Sequence, residues 1–338
     1  MTESAAPEPE LVELLERMAL VEPGETVQAE ALTGGVSSDI WLVRSEAGSF
    51  VVKRARARLK VAAEWHAPID RGAAEEAWLT FVAGAVPGCV PRVLAVDEES
   101  FAIALEYLDA AEYRNWKVEL MAGRVDVGVA AALGSTLGRI HAVSASTPGL
   151  PAQFANQDLF ESLRIEPYLL RTVEAVPEAA AALDAVIAGL REPGRALVHG
   201  DLSPKNILVG AGPVILDAEC ATWGDPAFDA AFCLTHLALK QVHLPEHAAE
   251  LRLAAEAFER AYLDEVVWED AAETRERIAR ILPALALARV AGASPAEYLD
   301  DAERARIRAS AVLALNTGRA LGDVLGEQAG ETMTGVRQ

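Results

Sequence analysis

Apolar residues at helical spacing over 11–20 predict a short amphipathic helix near the start of the chain. The period then changes. Residues 27–32, 40–44 and 50–53 are short apolar runs that read as strands, and 90–96 with 101–105 add two more around an acidic turn at 97–100. One helical stretch, 71–82, interrupts them. From 125 onward helical periodicity dominates, over 125–143, 157–173 and 178–190, with a turn-rich break at 148–153 and Pro177 between the last two. Two brief apolar runs follow, 197–198 and 213–216. Further helices are predicted at 230–240, 246–266, 270–290 and 295–321, where alanine favours helix and charges mark the solvent faces. Strands first and helices afterwards make an α+β protein. The polar ends, 1–10 and 326–338, read as loose, and no internal repeat is found.

The two brief runs near the middle carry the chemistry. The first leads into His199-Gly200-Asp201, with Asn206 five positions after the acid; the second ends at Asp217, with Glu219 two residues on. Buried strands seldom end in acids that have neither work nor a partner. Phosphoryl transfer needs a carboxylate beside the attacking hydroxyl and hard oxygen ligands for Mg2+. An order H-x-D-x-x-x-x-N followed by a strand ending in Asp supplies both. In that reading Asp201 accepts the substrate proton, and Asn206 and Asp217 hold the metal. The competing reading is a pair of turns capped by Asp and Asn, but three elements agree here in order and spacing.

The motifs HGDLSPKN and ILDAE resemble those of the aminoglycoside phosphotransferase/choline kinase superfamily of small-molecule kinases. Asp217-Ala218-Glu219 is similar to the D-x-E motif of methylthioribose kinases, which implies that Glu219 shares metal duty. Those kinases typically carry HGDLHTGS, whereas SPKN stands here. The segment 224–229, GDPAFD, resembles a GDPxxD motif whose last acid, Asp229, braces the catalytic loop. The resemblance implies a protein-kinase-like two-lobed fold. Its N-lobe would be an antiparallel sheet plus a helix (1–106), followed by a hinge (107–112) and a larger, mostly helical catalytic and acceptor-binding lobe (113–338).

It also implies a nucleotide site. Gly34, Gly35, Ser37 and Ser38 match a glycine loop that brings backbone N–H groups to phosphates. Lys53 follows on the next strand, where it would contact the α- and β-phosphates and pair with a helix Glu. Glu75 and Glu76 lie about 100° apart on that helix, and the superfamily's EA-x-x-L pattern favours Glu76. Glu106, Tyr107 and Leu108 match the hinge, where backbone groups would bind adenine. The segment 54–68 resembles methylthioribose kinases; Trp65 and His66 in it could flank a ligand, although packing is the commoner role. His141 reads as a packed, hydrogen-bonded residue, and the helices before the catalytic loop would shape the acceptor pocket.

Composition bounds this picture. The 338 residues are 51% hydrophobic and 24% charged, enough for a large core. A net charge of −21 argues against a nucleic-acid surface and suits a cationic acceptor, or simply solubility. Three cysteines without a CxxC pair fit a reducing cytoplasm rather than a disulfide framework. The first residues lack a basic-then-apolar signal, and no uncharged apolar run is long enough to span a membrane. The expected activity is therefore transfer of the γ-phosphate of ATP, with Mg2+, to a hydroxyl of a small molecule: an aminoglycoside, an amino sugar or a related sugar or alcohol. The alternative is a catalytically inactive kinase-like nucleotide-binding or regulatory protein, against which Lys53, Asp201, Asn206 and Asp217 together argue. A protein kinase is disfavoured by the HGD form and by the lack of an APE-like segment. A monomer or a homodimer fits equally.

Overall fold

The computed structural model describes residues 8–32, 38–55 and 71–327. Five strands form one antiparallel sheet: β1 (Gln28–Ala31), β2 (Ser38–Ser45), β3 (Gly48–Ala55), β4 (Val93–Asp97) and β5 (Ala102–Glu106), in the order β1-β2-β3-β5-β4. Strand periodicity decides what each face meets. On β5, Ala102 and Ala104 pack against the leucines of helix α1 (Pro9–Arg17), whereas Ile103 and Leu105 pack with Trp78, Leu79 and Val82 of helix α2 (Arg71–Ala85). The sheet is thus covered on both sides. Strand β4 begins three residues later than the pattern suggests, after Pro91, which cannot donate to a ladder.

The C-terminal part is mostly helical. After the short strand β6 (Arg114–Asn115) come α3 (Trp116–Met121), α4 (Val127–Ala145) and the single turns α5 (Leu150–Gln153) and α6 (Gln157–Phe160). A π-helical segment, Glu161–Leu170, runs on into α7 (Arg171–Ala175), and α8 (Ala180–Leu190) follows. The remaining large helices are α9 (Ala227–His243), α10 (Ala248–Leu263), α11 (Ala271–Ala291) and α12 (Asp301–Thr317). Helix α9 is apolar almost all round and almost wholly buried, as such a helix must be. Helix α10 lies directly on α4, because α4 presents glycine at the crossing: a Cβ on Gly134 would stand 2.2 Å from the Phe258 carbonyl oxygen. Residues 295–300, expected to open the last helix, lie outside it. Asp300 caps α12 by a reciprocal box with Glu303, and Gly318, in the left-handed region, ends it.

Between these helices sit two small antiparallel sheets. Strand β7 (Ala196–Val198) pairs with β10 (Thr222–Gly224), and β8 (Ile207–Val209) pairs with β6 and with β9 (Pro213–Ile215). The main hydrophobic core runs without a break from α2 and β5 into the C-terminal helices. Among the described residues no helix is long and apolar enough to cross a membrane. The three cysteines are free and buried.

Candidate active site

Lys53 reaches the site because of register. It pairs across the sheet with Ile103, so its side chain shares the face that meets α2, while its neighbour Val52 pairs with Ala104 on the face toward α1. Its ammonium lies 2.7 Å from Glu75 and also bonds directly to Asp217. Burial alone would weaken Lys53, but Asp217 and Glu75 outweigh it and hold the group protonated well above its ordinary range. The expected partner, Glu76, is corrected to Glu75. The buried stripe of α2 runs Arg71, Ala74, Glu75, Trp78, Leu79, Val82, whereas Glu76 is turned aside and accepts from the hydroxyl of Thr80 at 3.0 Å. Helical spacing from Trp78 and Leu79 selects position 75, a signal already present in the sequence.

Strand β7 delivers the loop His199-Gly200-Asp201, which Asp229, at the first turn of α9, pins in place. Its carboxylate accepts from the His199 N–H (2.7 Å) and the Gly200 N–H (2.8 Å) and sits 3.3 Å from His141 Nε2. His141 is buried and meets the Tyr262 hydroxyl through Nδ1, so it is packed and hydrogen-bonded as expected. Gly200 has φ +79°, and a Cβ there would stand 2.7 Å from that of Cys220, so only glycine fits. His199 Nδ1 accepts from the Asp201 N–H (3.0 Å) while Nε2 donates to the Leu216 carbonyl (3.0 Å). These contacts fix the neutral tautomer. Burial lowers the His199 pKa in the same direction, against nearby carboxylates.

Asp201 is buried with its Oδ2 3.1 Å from both Arg164 Nη2 and Lys205 Nζ. Burial would raise its carboxyl, but Lys205 and then Arg164 prevail and keep it below the ordinary aspartate range. Both cations sit on one oxygen, leaving Oδ1 for another partner. Arg164 comes from the π-helical segment. It also donates to the Gly200 and Leu163 carbonyls, and its guanidinium lies over the rings of Tyr168 and Phe232. It was not singled out from the sequence, although an arginine among Phe160, Leu163 and Tyr168 on an apolar helix face calls for an acid.

The β8–β9 hairpin brings Asn206 and Asp217 together, because the Leu216 N–H donates to the Asn206 carbonyl at 2.8 Å. Asn206 Nδ2 donates to the Asp201 carbonyl (3.0 Å), which leaves its Oδ1 as the available end. Asp217 adopts φ +68°, uncommon outside glycine, in a turn that places its carboxylate at Lys53. An amide oxygen and a carboxylate beside Lys53 are the hard donors Mg2+ takes, so the residues present fit the ion. Glu219 lies 3.2 Å from Arg71 Nε and lines the same small pocket as Lys53 and Glu75. Among the described residues no three His, Cys, Asp or Glu side chains form a metal cluster by themselves. Glu106 is clamped reciprocally to Arg92, by its backbone N–H (3.0 Å) and through its carboxylate (2.9 and 2.8 Å), and half-buried Tyr107 and Leu108 follow it outside regular structure. Ser38 is buried at the start of β2. Gly34, Gly35, Ser37, Trp65 and His66 lie outside the described residues.

The profile of the phosphotransferase enzyme family, APH, matches residues 28–271, most of the chain and all of the catalytic motifs. The protein belongs to this family. A search of curated protein sequences returned no match. Among solved structures, a choline/ethanolamine kinase family protein from Mesorhizobium loti shares 18% identity with this phosphotransferase-family chain, covering 94% of it and 98% of its own length, with a TM-score of 0.52. A spectinomycin phosphotransferase solved with ADP and spectinomycin shares 13%, covering 92% and 99%, with a TM-score of 0.50. Both likenesses are of fold: an antiparallel sheet first and a mostly helical part after it.

Proposed function

We propose that this member of the phosphotransferase family is a small-molecule kinase that moves the γ-phosphoryl group of ATP to an alcohol, with Asp201 as the group that receives the hydroxyl proton. The observation that carries the reading is the convergence of Lys53, Asp201, Asn206 and Asp217: Lys53 bonds to Asp217, Asn206 donates to the Asp201 carbonyl, and Leu216, beside Asp217, donates to the Asn206 carbonyl. Sheet and helical parts would act as two lobes, 1–106 and 113–338, hinged at 107–112, with backbone groups near Tyr107 and Leu108 taking adenine beside Glu106. The glycine loop (Gly34, Gly35, Ser37, Ser38) and Lys53 would hold the phosphates, and Glu75 steadies Lys53. Asn206 and Asp217 would hold Mg2+, with the second oxygen of Glu219 as a further donor. The ion would supply charge neutralisation at the transferring phosphoryl group.

In this chemistry the acceptor oxygen bonds to the γ-phosphorus, the bond from that phosphorus to the β–γ bridging oxygen breaks, ADP leaves, and Asp201 Oδ1 takes the acceptor's proton. A carboxylate held below its ordinary pKa is a weak base, so the proton moves late and the main contribution of Asp201 is orientation. Asp201→Asn is expected to lower kcat by about 10²–10⁴-fold while leaving ATP affinity within about twofold. ADP release measured with an active acceptor, beside ATP titration, tests this. Unchanged turnover would remove Asp201 from the chemistry.

A further inference from the structure

We propose that the acceptor is an anion: a hydroxylated small molecule whose carboxylate or phosphate is received by Lys240, Arg289 and Lys117 while its hydroxyl meets Asp201. This rests on the kinase reading above and names the substrate class of the same site. A closed circuit of contacts leads away from Asp201 and back to it. In one direction Arg164 joins Asp201 to Tyr168 and Phe232, and Phe232 meets His236 ring to ring at 5.4 Å. Lys240 stands one helical turn beyond His236 on α9, with its ammonium 5.1 Å from the centre of the Tyr298 ring. In the other direction Lys205 accepts, through its carbonyl, a bond of 2.7 Å from Asn115 Nδ2, and Lys117, two residues on, pairs with Glu297, the neighbour of Tyr298. Arg289 enters from α11, its guanidinium over the Tyr168 ring at 5.8 Å.

The charges in this circuit run against those of the whole molecule. In a chain of net charge −21, five cations (Arg164, Lys205, Lys117, Arg289 and Lys240) surround two carboxylates, Asp201 and Glu297. Both carboxylates are already paired, and the nearby Glu303 is taken by His243 at 3.0 Å. Lys240 is the sharpest case. It is 1% exposed, and among the described residues it has no carboxylate partner. Burial, with Lys117 and Arg289 pushing the same way, brings it down to about 7. A buried ammonium without a counter-ion is costly, and a bound anion is the natural compensation. Beside it, Arg289 Nε and the Tyr298 hydroxyl are buried without a hydrogen-bond partner among the described residues.

The same geometry disfavours cationic acceptors. Arg164 and Arg289 already lie over the Tyr168 ring, Arg164 over Phe232 and Lys240 over Tyr298, so a quaternary ammonium approaching these rings would meet the protein's own cations. Among the described residues, neither carboxylate of this cluster is left unpaired for an aminoglycoside. The acidity of the composition, which suited a cationic acceptor, is therefore not the charge of this cluster.

The test titrates the full chain, with MgADP present, with four matched probes: glucose, glucosamine, gluconate and glucose 6-phosphate. At least one anion should bind about tenfold or more tightly than glucose, with glucosamine weakest; gluconate leading would indicate a carboxylate, glucose 6-phosphate a phosphate. Lys240→Met should abolish the preference. Should that variant fail to fold, Lys117→Gln, at a more exposed member of the cluster, should reduce it. Equal binding of the four, binding by none, or glucosamine binding tightest would overturn the proposal. The same probes, scored for phosphate transfer from ATP, separate the two readings. Anion-selective binding with no transfer to any hydroxyl would sink the kinase reading alone, whereas transfer to glucosamine would sink the anionic acceptor alone.

Discussion

At the scale of single residues, Asp201, the proposed proton acceptor, is defined by what holds it. One oxygen of Asp201 carries two cations and the other is left for a further partner. Lys205 contributes the most to keeping the carboxyl ionised, and it is half exposed, so it can be replaced without opening the core. The sign follows from linkage. A depressed pKa places the acid limb of kcat/KM below the ordinary aspartate value of about 3.9, and losing Lys205 must move that limb upward. Lys205→Met is therefore expected to lose activity at a higher pH than the unaltered protein, in a pH–rate profile of kcat/KM; an unmoved limb would mean that Lys205 does not act on Asp201. The two adjacent glutamates give a second contrast. Glu75→Gln should raise the KM for ATP by about tenfold, the scale of a lost charged hydrogen bond, whereas Glu76→Gln should leave it within about twofold. Steady-state kinetics in ATP decide between them, and the reverse order would restore Glu76 as the partner.

At the scale of elements, the two motif acids were legible because each follows a strand where the apolar run stops. Asp201 follows β7 and Asp217 follows β9, and no tertiary knowledge is needed to see the polar interruption. The partners of those residues were less legible. Glu75 could have been read from the Trp78–Leu79–Val82 stripe, but a family pattern pointed one position on. Arg164 lies some forty residues before its acid, and only the folded helix brings them together. Helix existence followed from periodicity, yet the start of α12 moved from 295 to 301, since capping by Asp300 and Glu303 is stronger than the apolar pattern before it. Close helix contact offers a direct check of the α4–α10 pair. Gly134→Val places side-chain atoms where the Phe258 carbonyl stands and should destabilise the fold by about 3 kcal/mol or more. Thermal unfolding measures it, and an unchanged Tm would contradict the packing.

At the scale of the whole molecule, total charge and local charge disagree, and only the fold shows it. In this acidic chain five cations gather behind Asp201, and the two carboxylates among them are paired. Helices α3, α9 and α11 and the turn before α12 each contribute one or more charges to that cluster, so no window of the sequence displays it. The arrangement predicts a stability cost. Lys240 on α9 faces Lys117 of α3, Arg289 of α11, Glu297 and Tyr298 of the following turn, and Cys233 of its own helix. Its pKa is lowered to about 7 in the fold, against about 10.4 when unfolded. The cost is therefore fully present below pH 7 and fades as pH rises toward the unfolded value. Lys240→Met should raise Tm by about 2 °C or more at pH 6.5 and by less at pH 9.5, in the absence of any acceptor. A variant less stable at both pH values would show that Lys240 is a structural cation instead.

The central claim, that Lys53, Asn206 and Asp217 form one metal-dependent triphosphate site beside Asp201, needs no acceptor to be tested. Calorimetric titration of the full chain with ATP, with and without Mg2+, tests it most directly when repeated on Asp217→Ala. The account predicts that Mg2+ tightens ATP binding by about tenfold or more and that this gain vanishes in the variant. No binding of ATP, or the same gain from Mg2+ in both proteins, would contradict it.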